Sequence, residues 1–167
     1  GGSWRLFNAL AKKGAFDLIT CDLTDPRALA EALQESPALV WIETPSNPLL
    51  RITDLRFVID AAHKAGALAL VDNTFLSPAL QRPIEDFDAD FVLHSTTKYI
   101  NGHSDVVGGA VIAKEQAQHE QLTWWANCLG LTGSPFDSFL TLRGLRTLDA
   151  RLRVHQENTQ ALVELLD

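Results

Sequence analysis

The stretch "HSTTKYINGHSD", residues 94–105, sets one lysine, Lys98, among small hydroxylated residues just after an apolar run, "ADFVLHS", that reads as a buried strand. Lysine is mostly exposed in folded proteins, so Lys98 taken alone is a solvated turn amine. Asp72 closes a second apolar run, "ALALVD", and Asn47 lies in "ETPSNP" just past a third, "ALVWIET". Taken singly, Asp72 is a capping carboxylate and Asn47 a turn residue before Pro48. In an open parallel sheet, however, the loops that leave the carboxyl ends of the strands share one edge, and ligands bind there. All three residues then converge. A partly desolvated lysine in such a cleft becomes an amine nucleophile that forms a Schiff base with a carbonyl. A carboxylate on a neighbouring strand end can pair with a protonated ring nitrogen, and Ser95 and Thr97 can donate to a phosphate.

Those residues need a scaffold of alternating strands and helices, and the hydrophobic pattern supplies one. Ser3 is placed to cap a helix over "WRLFNALAKK" that stops at Gly14, and "FDLITCD" reads as a strand. "TDPRALAEALQES" carries Pro26 in the first turn of a helix, where its missing N–H does no harm. After the strand "ALVWIET", Thr53 or Asp54 starts "LRFVIDAAHKA", in which Leu55, Val58, Ile59 and Ala62 recur at helical spacing up to Gly66. "ALALVDN", "ADFVLHS" and "GGAVIAK" follow as strands. The rest is helical: "EQAQHEQLTWWANCLG", "SPFDSFLTLRGLRTL" with Ser134 as cap and Pro135 in the first turn, and an amphipathic run from Asp149 onward.

Composition narrows the function classes. A chain of 167 residues with 46% apolar content fits one ordinary domain with a filled core. Its net charge of −7, with no run of Lys or Arg, makes nucleic acid an unfavoured partner. Cys21 and Cys128 form no CxxC pair, which argues against a zinc ribbon or disulfide scaffold and for a reducing, cytoplasmic setting. The longest clean apolar stretch, "AGALALV", falls far short of the ~20 residues that a membrane span needs. No metal site is expected: His94, His103 and Asp105 are ligand types, but their spacing reads as hydrogen-bonded loop histidines. The lack of GxxxxGK[ST] argues against a nucleotide phosphate loop around Lys98. Trp124 and Trp125 read as helix packing rather than a substrate lid. The absence of methionine and the opening "GGSWRLF" suggest an internal piece of a longer protein.

An amine, an acid and hydroxyls at one sheet edge are the needs of pyridoxal 5'-phosphate. "VDNTFLSPALQRP", "HSTTKYINGHSDVVGG", "ETPSNPLLRITD" and "SPFDSFLTLRGLRTL" closely resemble the Cys/Met-metabolism family of fold-type I pyridoxal-phosphate enzymes, and the resemblance runs from residue 1 to 167. Within that family the chain is most like the cystathionine γ-synthases. The resemblance implies an α/β fold with a mostly parallel sheet and helices on both faces. This is the large cofactor domain of the aspartate-aminotransferase-like fold, with residues 1–150 in that domain and 151–167 starting the helix into a C-terminal domain.

Carried over by position, the resemblance implies that Lys98 holds the cofactor covalently and then shuttles protons, and that Asp72 pairs with the pyridine nitrogen. Asn47 is expected at the phenolic oxygen or the substrate carboxylate, Ser95 and Thr97 at the phosphate, Gly1 and Gly2 beside the cofactor, and Arg5 at the substrate side chain. The implied reaction is γ-replacement, in which cysteine displaces the acyl group of O-succinylhomoserine or O-acetylhomoserine to give cystathionine. The alternatives are a cystathionine γ- or β-lyase, a methionine γ-lyase, a homoserine sulfhydrylase, or a non-catalytic remnant or binding paralogue. A homotetramer of paired dimers, acting on small amino-acid substrates, is expected of the full-length protein. The ring-stacking tyrosine, the phosphate loop, the segment from a neighbouring subunit and the arginine for the substrate α-carboxylate are expected outside residues 1–167.

Overall fold

The computed structural model describes residues 2–167. They divide into two compact units, Gly1–Ala69 and Leu70–Asp167.

The first unit holds helix α1 (Gly2–Ala11), helix α2 (Pro26–Gln34), strand β1 (Leu39–Glu43) and helix α3 (Leu55–Lys64). Local capping chemistry starts two of these helices. The Asp25 carboxylate accepts from the Arg27 N–H ahead of Pro26, and the Asp54 carboxylate accepts from the Phe57 N–H. Leu55, Val58, Ile59 and Ala62 form the buried stripe of α3, and Val40 and Ile42 are the buried residues of β1. Strand β2 (Leu68–Asp72) begins in this unit, where the Leu68 N–H donates to the Ala38 carbonyl beside β1.

Two expectations fail in the first unit. Ser3 does not cap α1, because the helix already begins at Gly2 and Ser3 lies inside its first turn. Residues 16–22 form no strand, since no neighbouring backbone gives them a ladder among the described residues; Phe16 and Ile19 stay exposed. Asp22 at the end of that run instead accepts from the N–H and hydroxyl of Thr24 and pairs with Arg51 at 3.0 Å.

The second unit continues β2 and adds β3 (Phe91–Ser95) and β4 (Gly109–Ala113). β3 runs parallel to β2, with Asp72 opposite Leu93, and antiparallel to β4, with Ser95 opposite Gly109. The sheet is thus mixed, and the Lys98 segment is the connection between its antiparallel pair, which needs no crossover helix. Short helices α4 (Ser77–Leu80) and α5 (Pro83–Phe87) occupy what the sequence leaves as a loop. Helices α6 (Gln116–Cys128), α7 (Pro135–Arg146) and α8 (Leu148–Leu166) complete the unit, and the Ser134 hydroxyl caps α7 by accepting from the Asp137 N–H.

Trp124 and Trp125 are 60% and 57% exposed, so they do not pack α6 into a core; the two rings meet edge to face, 4.9 Å between centroids. The expected helix packing of this pair fails, since α6 has no buried residue. Residues 150 and 151 both lie within the continuous helix α8. No helix among the described residues is long and apolar enough to cross a membrane.

Candidate active site

Strand β2 ends at Asp72, and the chain turns at once through Asn73 and Thr74. Asp72 Oδ1 accepts two hydrogen bonds from Thr74, from its N–H at 3.1 Å and its hydroxyl at 2.6 Å. The same Thr74 hydroxyl accepts from the Ser95 N–H at 2.9 Å. One side chain therefore ties the acid at the end of β2 to the end of β3. Asp72 Oδ2 has no protein donor among the described residues, and is left to receive a cationic or N–H partner. Sequence reasoning passed over Thr74; a hydroxyl two residues after a strand-end aspartate, the pattern of a local Asx turn, was its available signal.

Lys98 lies on a tight turn that leaves β3. Its N–H donates to the Ser95 carbonyl at 3.2 Å and its carbonyl accepts from the Gly102 N–H at 2.8 Å. Between them the Asn101 N–H donates to the Thr96 carbonyl at 2.9 Å. Thr96, Ile100 and Asn101 are buried beneath the turn, whereas Lys98 is exposed and its amine has no ion-pair partner among the described residues.

Thr97 is bonded to Gly108 in both directions: its hydroxyl accepts from the Gly108 N–H at 2.9 Å and donates to the Gly108 carbonyl at 3.2 Å. Gly108 fits because a β-carbon there would press on the Thr96 hydroxyl at 2.8 Å. Donation from Thr97 to a phosphate therefore means giving up the longer of its two bonds. The Ser95 hydroxyl is not engaged in this way, since no protein group among the described residues bonds it.

His94, expected as a loop histidine, is a strand residue of β3 and 4% exposed. Burial holds its pKa below the ordinary imidazole value, against opposing pulls from a hydrogen bond to the Asn73 backbone and from the Asp72 charge. Its Nδ1 is buried without a partner. His103 Nδ1 lies 2.6 Å from the Asn101 carbonyl, and Asp105 accepts from Arg143 at 2.8 Å.

Lys98, Asp72, Ser95 and Thr97 thus share the second unit, at the carboxyl ends of the adjacent parallel strands β2 and β3. Asn47, Arg5 and Gly2 belong to the first unit. Asn47 is exposed, next to Pro48 in a turn after β1, and its N–H donates to Glu43 Oε1 at 3.1 Å. Arg5 is exposed on α1, which Gly2 opens. Gly1 lies outside the described residues.

The donor set of the second unit fits pyridoxal phosphate: an uncommitted amine, a carboxylate with one oxygen open, and an unengaged hydroxyl. The family described as Cys/Met metabolism PLP-dependent enzyme matches the chain over residues 1–167. The chain belongs to that family. It is 55% identical, over 99% of its length, to a cystathionine gamma-synthase of Escherichia coli (strain K12), of which it covers 43%. It is 44% identical to a cystathionine gamma-lyase of Dictyostelium discoideum, over 100% of this chain and 43% of that one. Among solved structures, the cystathionine gamma synthase of Xanthomonas oryzae pv. oryzae in complex with cystathionine superposes with a TM-score of 0.97 at 80% identity, over 99% of this chain and 43% of that one. The chain therefore spans less than half the length of these relatives.

Proposed function

We propose that the full-length protein carrying this segment performs a pyridoxal-phosphate-dependent γ-replacement, joining cysteine to an activated homoserine ester such as O-succinylhomoserine to give cystathionine. The observation that carries this reading is the placement of Asp72 and Lys98 at the ends of adjacent parallel strands, with the Thr74 hydroxyl bonded to both strand ends. The named functions of the Escherichia coli and Xanthomonas oryzae relatives support the choice of reaction. When bound, the cofactor supplies an electron-withdrawing ring that stabilises negative charge at the substrate α-carbon.

The chain's own residues would divide the remaining work. Lys98 would hold the cofactor covalently and, as a free amine, would move protons at the substrate carbon atoms. Asp72 keeps a proton on the ring nitrogen through a charge-assisted hydrogen bond. The Ser95 hydroxyl, with Thr97 as a second donor, anchors the phosphate. Asn47 would contact the phenolic oxygen or the substrate carboxylate, Gly1 and Gly2 would contribute to cofactor binding, and Arg5 would grip the distal carboxylate of a succinyl ester with its planar fork.

Residues 1–150 would form part of the cofactor domain and 151–167 the start of the link into a C-terminal domain. The assembly would be a homotetramer working in the cytoplasm. A lyase is the second reading, favoured by the 44% identity to the Dictyostelium lyase; product analysis with O-succinylhomoserine, with and without cysteine, separates the two. The primary test is borohydride trapping of the cofactor on the full-length protein followed by peptide mass spectrometry. Label on Lys98, absent in Lys98→Ala, is the expected result. Label on another lysine, such as Lys114, overturns the assignment.

A further inference from the structure

The Lys98 turn is held by a residue 53 positions away along the chain. The Arg151 guanidinium donates through Nη1 to the Tyr99 carbonyl at 2.8 Å and through Nη2 to the Ile100 carbonyl at 3.2 Å. Nη2 also donates to the Gly144 carbonyl at 2.8 Å, near the end of α7, and Nε donates to the Thr147 hydroxyl at 3.1 Å. One planar cation thus bonds the two carbonyls that directly follow Lys98 to the junction of α7 and α8. Burial lowers the pKa of Arg151 from its ordinary value, as expected for a guanidinium withdrawn from water.

The space around this fork is built to match. A β-carbon at Gly102, where φ is +69°, would collide with the Arg151 guanidinium, and one at Gly144 would collide with the Ile100 and Asn101 carbonyls. Two side chains are missing where the loop, the fork and α7 come closest. Lysine cannot substitute, because an ammonium is a compact point charge and cannot reproduce a rigid planar fork.

We propose that Arg151 is the positioning residue for Lys98: it fixes the backbone that follows the lysine and so sets where the amine stands relative to the strand-end carboxylate and hydroxyl. The proposal rests on the reading of Lys98 as the cofactor-linked amine. Reactive groups lose rate steeply when displaced, with about a hundredfold loss for a 1 Å error. Releasing two carbonyls from a common anchor allows a movement of that order, because the flexible Lys98 side chain starts from this backbone.

The test uses the full-length protein as wild type, Arg151→Lys, Arg151→Ala and Thr147→Val, each stripped of cofactor and then supplied with pyridoxal phosphate. The rate of covalent linkage to Lys98 is read by timed borohydride quenching and peptide mass spectrometry, its pH midpoint by visible absorbance, and stability by melting without cofactor. The expected result is a roughly ten- to hundredfold slower linkage and a displaced pH midpoint in Arg151→Lys, with partial recovery of Arg151→Ala by added guanidinium. Thr147→Val removes a hydroxyl that accepts from the fork and also donates to the Gly144 carbonyl at 3.2 Å; it should slow linkage severalfold with only a small drop in melting temperature, and so keeps the test valid if both Arg151 variants fold poorly. Label on Lys98 at wild-type rate and midpoint in every variant that folds overturns the clamp and leaves the Lys98 reading intact. Label on a different lysine in the wild type overturns the Lys98 reading itself.

Discussion

Replacing Thr74 by valine keeps the shape of the side chain and deletes the one hydroxyl that joins the two strand ends. That hydroxyl donates to a carboxylate oxygen at 2.6 Å and accepts from the Ser95 N–H at 2.9 Å. A hydrogen bond to a charged group is worth about 1.5–3 kcal/mol, and an N–H left without an acceptor costs roughly 1–3 kcal/mol. Asp72, Thr74 and Ser95 are half-buried, so water compensates part of both losses. The expected net loss is therefore on the order of 2–4 kcal/mol, felt first as local opening. Native-state hydrogen exchange on the full-length protein without cofactor reads it directly: the Ser95 amide should exchange about 30- to 1,000-fold faster in Thr74→Val, at ~1.4 kcal/mol per decade. Thr74→Ser retains the hydroxyl and should stay within a few-fold of wild type. Wild-type protection of Ser95 in Thr74→Val would refute the reasoning, since it would mean that the hydroxyl carries neither bond in solution.

Gly144→Ala gains roughly 1 kcal/mol of helix propensity, yet its new β-carbon meets the Ile100 and Asn101 carbonyls. Overpacking costs about 1–3 kcal/mol, so a lower urea midpoint is expected, and a raised one would show that α7 does not press on the Lys98 turn. His94 gives a pH dependence whose sign follows from its lowered pKa: the unfolded chain binds a proton near the ordinary histidine value of about 6.5 while the folded site resists it, so stability falls as pH drops through that range. Urea midpoints at pH 7.5 and 5.5 should differ less in His94→Gln than in wild type; an equal difference in both proteins would assign the acid sensitivity elsewhere.

Features whose cause lies within a few residues were legible in the sequence. Ser134 caps its helix as read, and of Thr53 and Asp54 it is Asp54 that caps α3, because a cap answers to the N–H groups two or three residues on. The buried stripe of α3 and the strands ending at Asp72 and Ser95 follow from periodicity and apolar runs, and with them the likeness of position between the acid and the lysine. Residues 16–22 have strand composition, but a strand exists only where a neighbour pairs with it. The Trp124–Trp125 pair has the look of core material, and nothing local in "LTWWANC" states which face of α6 is covered. Arg151 could not be read at all, because its partners are carbonyls of Tyr99, Ile100 and Gly144, and backbone carbonyls leave no trace in residue type.

The way the Lys98 turn is supported suits the role proposed for its amine, which would have to change charge. A carboxylate paired with Lys98 would hold its backbone and side chain in place, but it would also favour the ammonium form and oppose the loss of a proton. The support instead comes from the Thr97 hydroxyl on the Gly108 backbone, the Asn101 N–H on the Thr96 carbonyl, and the Arg151 fork on the Tyr99 and Ile100 carbonyls. None of these groups titrates near neutral pH: a hydroxyl and an amide stay neutral, and a guanidinium stays charged even when burial lowers its pKa somewhat. None of these supports therefore depends on whether the amine is protonated, neutral or covalently engaged. A change at Arg151 should therefore alter where Lys98 stands without adding or removing a direct charge partner of its amine.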